Sequence, residues 1–237
     1  MKWPKTFTIG DARDAQNLLR KKVRISALKR EPRYIAGVDA AFSDVCVFAS
    51  ACLYLFPELT LIEQQSAVQK LRFPYVPGFL SFREGPAIMA ALKKLSGKPD
   101  LILVDGQGIA HPRGIGIASQ IGILLAIPSI GCAKSRLVGD YEEPGIKKGK
   151  WSALIYEGKT VGAVVRTKCG VRPLFVSPGH KINIDDALRF TIACTDKHRI
   201  PEPLRCADIL AKKMKKTCQH AHEAASPAIS LMGSQDR

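Results

Sequence analysis

Three strand-like segments follow one another at residues 34–42, 45–56 and 61–71, and no other feature restricts the fold as much. The middle segment, VCVFASACLYLF, is nearly apolar over twelve residues, while the breaks beside it hold only two and four residues. Breaks that short leave no room for a crossover helix, so the strands must run consecutively antiparallel. Twelve residues also fall short of the roughly 18 needed to span a bilayer. A sheet this apolar has to be covered, and the remainder of the chain offers the cover. Residues 11–30 mix charge with Leu18, Leu19, Val23, Ile25 and Leu28 and suit an amphipathic surface helix.

Downstream the pattern changes. Phe73-Pro-Tyr-Val-Pro-Gly78 interrupts regular structure, because its two prolines fix φ and lack donors. Ser81-Phe-Arg-Glu84 then reads as a capping box opening a helix over 82–95. A buried strand at 99–104, a helix at 114–126 and a strand at 128–133 follow. Residues 152–156 and 161–166 flank Glu157-Gly-Lys159 as a hairpin, and 174–176 adds a strand. Helices at 184–194 and 203–214 close the domain. Hairpin strands first and strand–helix units later imply an α/β fold, a mixed β-sheet flanked by helices in a single domain. That domain is expected over residues 1–215, with 216–237 as a flexible C-terminal tail of polar and small residues.

Charge and cysteine usage narrow the class. Lys and Arg number 36 against 21 Asp and Glu, a net +15, and residues 1–33 alone carry ten basic and three acidic side chains. A basic surface of this kind suits a polyanion partner, although it also serves plain solubility. The seven cysteines are scattered without a CxxC pair, which favours free thiols in a reducing, cytoplasmic setting over disulfides or zinc. Met1-Lys-Trp-Pro-Lys lacks the apolar stretch of a secretory signal, so neither export nor membrane insertion is expected. With no heptad or obvious interface stripe, a monomer is expected.

The chemistry concentrates in carboxylates. Asp39 sits inside the apolar Ile35–Phe42 stretch, where an unpaired charge is expensive and strands disfavour Asp. Asp105 ends Leu101-Ile-Leu-Val104 and precedes Gly106-Gln-Gly108, at the carboxyl end of a strand, where open sheets place ligands. Glu84 lies at the loop-to-helix corner. Glu84 fits either a helix cap or a ligand, and Asp105 either a turn or a ligand. Three oxygen ligands with no His or Cys cluster nearby suit Mg²⁺, with Mn²⁺ substituting, better than zinc. Tyr75, bracketed by Pro74 and Pro77, is held stiffly enough to stack on a base or to pack at the sheet edge. Phe73 and Phe79 are the better candidates for packing.

Val38-Asp39, Pro74-Tyr-Val-Pro-Gly-Phe-Leu-Ser-Phe-Arg-Glu84, Val104-Asp-Gly-Gln-Gly-Ile-Ala-His-Pro-Arg113, Gly131-Cys-Ala-Lys134 and Pro201-Glu-Pro-Leu-Arg205 occur in this order. The set resembles the endonuclease V family, the deoxyinosine 3′ endonucleases, up to about residue 212. The resemblance implies a ribonuclease H-like fold and a Mg²⁺-dependent DNA repair endonuclease. Its product would be a nick at the second phosphodiester bond 3′ to deoxyinosine, with 3′-OH and 5′-phosphate ends. It further implies that Asp39 and Asp105 hold the metal with Glu84, and that Lys134 stands by the scissile phosphate. Tyr75 would fill the gap left by the lesion, and Gly78, Leu80, Gly106 and His111 would line the base pocket. Inosine in single-stranded RNA is the alternative substrate within the family, and a non-catalytic nucleic-acid binder is a further alternative. Gln120 stands where many members carry His. Asp208 stands where some carry His, as either a fourth carboxylate or an exposed helix residue. His198, His220 and His222 find no role in the resemblance.

Overall fold

The chain alternates between runs that bury one face and runs that bury both, and the sheet follows from that. The computed structural model describes residue 3 and residues 8–225, with side chains through residue 219. In chain order the elements are α1 (Ile9–Arg20), β1 (Tyr34–Phe42), β2 (Cys46–Leu55), β3 (Thr60–Lys70), α2 (Leu80–Lys94), β4 (Leu101–Asp105), α3 (Ile117–Leu125) and β5 (Ser129–Ala133). Then come β6 (Trp151–Tyr156), β7 (Lys159–Val165), β8 (Leu174–His180), α4 (Ile184–Ala193) and α5 (Glu202–Ala225). All eight strands join one mixed sheet in the order β3-β2-β1-β4-β5-β8-β7-β6. β1, β4 and β5 are parallel neighbours, and every other pairing is antiparallel. The parallel steps are the ones that need a crossover, and α2 and α3 supply it.

Strand alternation sorts the core into two layers. Ala36, Val38, Ile102 and Val104 pack with Ile88 of α2 and Ile121 of α3 on one face. Ile35, Leu101, Leu103 and Ile130 pack with Phe190 of α4 and Leu204 of α5 on the other. The central strands are therefore covered on both sides, which explains their continuous apolar runs. β6 and β7 join through Glu157 and Gly158, both at positive φ (50° and 70°), the geometry of a tight two-residue hairpin.

Three sequence expectations need correcting. The first helix, expected over 11–30, stops at Arg20. Beyond it the backbone finds partners across the fold instead of along a helix. Arg24 N–H donates to His180 Nδ1 (3.3 Å), Lys181 N–H to Arg24 O (2.6 Å) and Leu28 N–H to Asp186 (2.8 Å). The expected capping box at 81–84 does not form: α2 starts at Leu80, and Phe79 at its N-cap gives no side-chain bond. Pro77 and the left-handed Gly78 set the entry, and Ser81 is engaged by Gln120. The closing helix, expected to end at 214, continues to Ala225, so residues 216–225 of the expected tail are helical. Its lysines are good helix formers on a largely solvated face, where polarity does not mean disorder. The remainder of that expected tail, 226–237, lies outside the described residues.

Two contacts fix α5 across the sheet. A Cβ on Gly37 of β1 would lie 2.1 Å from the Pro203 carbonyl carbon, so the helix rests directly on strand backbone. Ser50 Oγ of β2 donates to the Ala207 carbonyl at 2.6 Å. All seven cysteines are free thiols, and no helix among the described residues is long and apolar enough to cross a membrane.

Candidate active site

Register brings the two aspartates together. Val38 of β1 pairs with Val104 of β4 in parallel, so the next residues, Asp39 and Asp105, emerge side by side at the strands' carboxyl ends. Side chains alternate, and Gly37 and Leu103 face α5, so both aspartates do too. α2 brings in Glu84, which is buried rather than capping its helix. From the other direction the docked α5 brings Asp208, which shares a hydrogen bond with Asp39. These four acids open on one cavity of about 530 Å³. Tyr75, Gly78, Leu80, Gly106, His111 and Lys134 line the same cavity, so every site residue expected from sequence converges there.

The acids are crowded. Burial, followed by the neighbouring Asp105, pushes the Asp39 carboxyl up to about 8, although Lys134 and the Ala40 N–H (2.8 Å) pull the other way. Burial, with Asp39 and Asp105 adding to it, raises Glu84 well above the usual carboxylate range. Asp208 is pulled upward by burial but ends low, because Lys212 and Asp39 hydrogen-bond its carboxylate. An all-oxygen donor set under this much mutual repulsion suits a hard divalent cation. Among the described residues, no three His, Cys, Asp or Glu side chains are placed as they stand to hold a metal ion together.

Lys134 follows the end of β5, and its ammonium is ion-paired with Asp105. Burial works against its charge, yet Asp105, Asp39 and Asp208 hold it charged. Its backbone is pinned from outside by Arg199, which donates to the carbonyls of Lys134 (3.1 Å) and Pro173 (2.7 Å).

The aromatic loop divides its labour. Phe73 and Phe79 pack on Phe82 at centroid distances of 5.7 and 6.3 Å, beside Ala12 of α1. Tyr75 is left 69% exposed at the cavity rim. Gly78, at φ +78°, turns the chain back where a Cβ would meet Arg113 at 2.9 Å. His111 Nε2 donates to the Gly78 carbonyl (2.9 Å), and its Nδ1 accepts from Arg113 N–H (3.1 Å). That pairing defines a neutral imidazole, in line with a pKa pushed down to about 4 by burial. Gln120 is fully buried behind α2 and donates to Ser81 Oγ at 2.6 Å, a scaffold contact. Of Asp208's two sequence-level readings, the structure favours the carboxylate at the site. The supporting Arg113 was visible only as part of a motif, and Arg199 gave no signal at all.

Known proteins share this sequence and fold. The Endonuclease V family model matches residues 17–209. Endonuclease V of Trichormus variabilis is 49% identical over 212 residues, covering 88% of this chain and 95% of that protein. The crystal structure of endonuclease V from Streptomyces avermitilis superposes with a TM-score of 0.86 at 40% identity, covering 90% of this chain and 96% of that one. Endonuclease V of Ciona intestinalis, solved in complex with a 24mer DNA containing an inosine followed by a ribo-adenosine, gives 0.77 at 29% identity. The match covers 89% of this chain and 98% of that one. By sequence and by fold, the chain belongs to the endonuclease V family of nucleases.

Proposed function

We propose that this protein is a Mg²⁺-dependent endodeoxyribonuclease of DNA repair that recognises deoxyinosine and hydrolyses the second phosphodiester bond on its 3′ side. The product is a nick with 3′-OH and 5′-phosphate ends, the damaged base staying in place. The observation that carries this reading is the pairing of Asp39 with Asp105 at adjacent strand ends, joined by Glu84 and Asp208. Asp39 and Asp105 would hold the metal, with Glu84 and Asp208 completing the acid cluster. Mg²⁺, with Mn²⁺ as substitute, would supply charge neutralisation at the phosphate and a more acidic water.

The chain's own residues supply the rest. Lys134, held charged beside Asp105, offers a cation to the phosphate undergoing attack. Tyr75 stands clear of the core and is available to fill the gap when a base leaves the stack. The cavity lies within the roughly 300–1,000 Å³ range of small-ligand sites. Gly78, Leu80 and Gly106 line its wall, and backbone N–H groups there suit the carbonyl on the amide edge of hypoxanthine. Hypoxanthine lacks guanine's exocyclic amine and pairs weakly, so extrusion costs only a few kcal/mol. The net +15 charge favours contact with flanking phosphates regardless of sequence. The seven free thiols suit a reducing cytoplasm, where the protein acts as a monomer. Inosine in single-stranded RNA is the second reading, favoured by the ribonucleotide beside the inosine in the Ciona complexes.

Single-turnover cleavage of matched oligonucleotides tests both. Deoxyinosine in duplex DNA, inosine in single-stranded RNA and guanine controls are each incubated with Mg²⁺ or EDTA, using wild type and Asp39→Ala. A Mg²⁺-dependent nick one nucleotide beyond deoxyinosine, lost in Asp39→Ala, supports the repair reading. Faster cutting of the RNA moves the assignment to RNA. Tight binding without cleavage of either substrate overturns the enzymatic reading.

A further inference from the structure

Behind the cavity, the Gly78 carbonyl is gripped from three directions. His111 Nε2, Arg113 Nη2 and Gln16 Nε2 donate to it at 2.9, 2.6 and 3.0 Å. The third donor comes from α1, an element that contributes nothing to the acid cluster. Gln16 is fully buried, and its amide works at both ends: Nε2 on the loop, and Oε1 accepting from Arg113 Nε at 2.5 Å. The Arg113 guanidinium lies over the Phe79 ring, 4.1 Å from its centroid. Gln16, Arg113, His111 and the backbone at Gly78 thus form a closed lock on the reverse of the loop that carries Tyr75.

A buried amide between Ala12 and Leu19 is costly unless both of its ends are satisfied. Packing alone would favour leucine there. The polar choice makes sense only for what it holds. A carbonyl oxygen has two lone pairs. With three donors on it, the Gly78 oxygen is saturated and takes no bond from a base. An exocyclic amine, which distinguishes guanine from hypoxanthine, therefore finds no acceptor at this carbonyl. If the lock opens, the loop regains freedom and the oxygen becomes available.

We propose that Gln16 is a positioning residue of the base pocket: through Arg113 and the Gly78 carbonyl it holds the Tyr75 loop in its binding shape and withholds an acceptor from guanine. This rests on the inosine-specific reading given above. It places a determinant of selectivity on α1, one residue before the part of the chain matched by the family model.

The test compares wild type, Gln16→Leu and Gln16→Glu on duplexes that differ only in inosine or guanine at one position. Steady-state cleavage is read together with amide hydrogen exchange over residues 73–80 in the free protein. Gln16→Leu removes both the donor to Gly78 and the acceptor that holds Arg113 Nε, so Arg113 is released from the carbonyl as well, and KM for the inosine duplex is expected to rise about tenfold, the scale of one net hydrogen bond. On the same scale kcat falls less than about threefold, the inosine-over-guanine preference narrows about tenfold, and exchange over 73–80 accelerates. Gln16→Glu keeps a partner for Arg113 Nε but loses the donor, so it falls between the two, and it carries the test if the leucine variant does not fold. Unchanged KM and unchanged exchange overturn the proposal. So does a fall in kcat at constant KM, the mark of a merely structural role. If wild type cuts no inosine substrate, the functional reading fails, and exchange alone decides whether Gln16 locks the loop.

Discussion

Replacing Asp39 by Asn should stabilise the metal-free protein while abolishing cleavage. Asp39 is buried, and burial together with Asp105 pushes its carboxyl from 3.8 up to about 8. At pH 7 the native state keeps that proton and the unfolded chain releases it, so stability is lost as pH rises from 3.8 through 8. About three pH units at about 1.4 kcal/mol each set a ceiling near 4 kcal/mol at pH 7. Water entry and local rearrangement leave about half of that. Asn is close to isosteric, its Oδ1 keeping the Ala40 N–H and its amide donating to Asp208 where the proton did. In a chain of this size, about 2 kcal/mol corresponds to a Tm higher by about 4–8 °C. Thermal melts in EDTA at pH 7 measure it directly. The gap should shrink at pH 4.5, where the unfolded chain begins to take up the proton as well. Mg²⁺ should then raise the Tm of wild type and leave Asp39→Asn nearly unmoved. A variant that melts at or below wild type in EDTA at pH 7 would refute the reasoning, because it would mean the acids do not repel.

Gly37→Ala places a methyl 2.1 Å from the Pro203 carbonyl carbon, a backbone contact that no side-chain rotation relieves. It should cost at least about 2 kcal/mol in urea unfolding and depress cleavage by lifting Asp208 away. Tyr75→Ala removes an exposed ring and should leave stability within about 0.5 kcal/mol. It should weaken binding of inosine duplexes by about 1–3 kcal/mol in a titration, and equal affinity would deny Tyr75 a role in the stack. His111 is held neutral by burial with its pKa near 4, below the ordinary 6.5, so stability falls as pH drops from 6.5 through 4, by up to about 3 kcal/mol. His180 is shifted the same way, so His111→Gln should flatten the acid side of a pH–stability curve by about half rather than abolish it.

The three strands of residues 34–71 were legible because their breaks are too short for anything but hairpins. The convergence of Asp39 and Asp105 was legible in part. Position at strand ends could be read, but the Val38–Val104 register that sets them side by side is a long-range choice. Periodicity misled at residues 21–30, where Val23, Ile25 and Leu28 belong to a connector pinned by His180 and Asp186 rather than to a helix. Local chemistry misled at Ser81–Glu84, whose letters match a cap while both side chains are claimed by distant partners or the cavity. Asp208 stayed ambiguous because its place depends on backbone contact at Gly37, and a glycine in a strand does not announce which helix will rest on it.

The run from Asp105 to Arg113 is one short stretch with several employers. Its first residue joins the acid cluster, the next lines the cavity, and its last members grip the reverse of the Tyr75 loop. Reaction and recognition therefore share a single covalent thread with no slack between them. Inserting or deleting a residue there would shift both at once, so the two properties are inherited as a unit. Divergence toward another base has to begin elsewhere, on surrounding side chains such as those of α1, where a substitution alters selectivity while the acids keep their places.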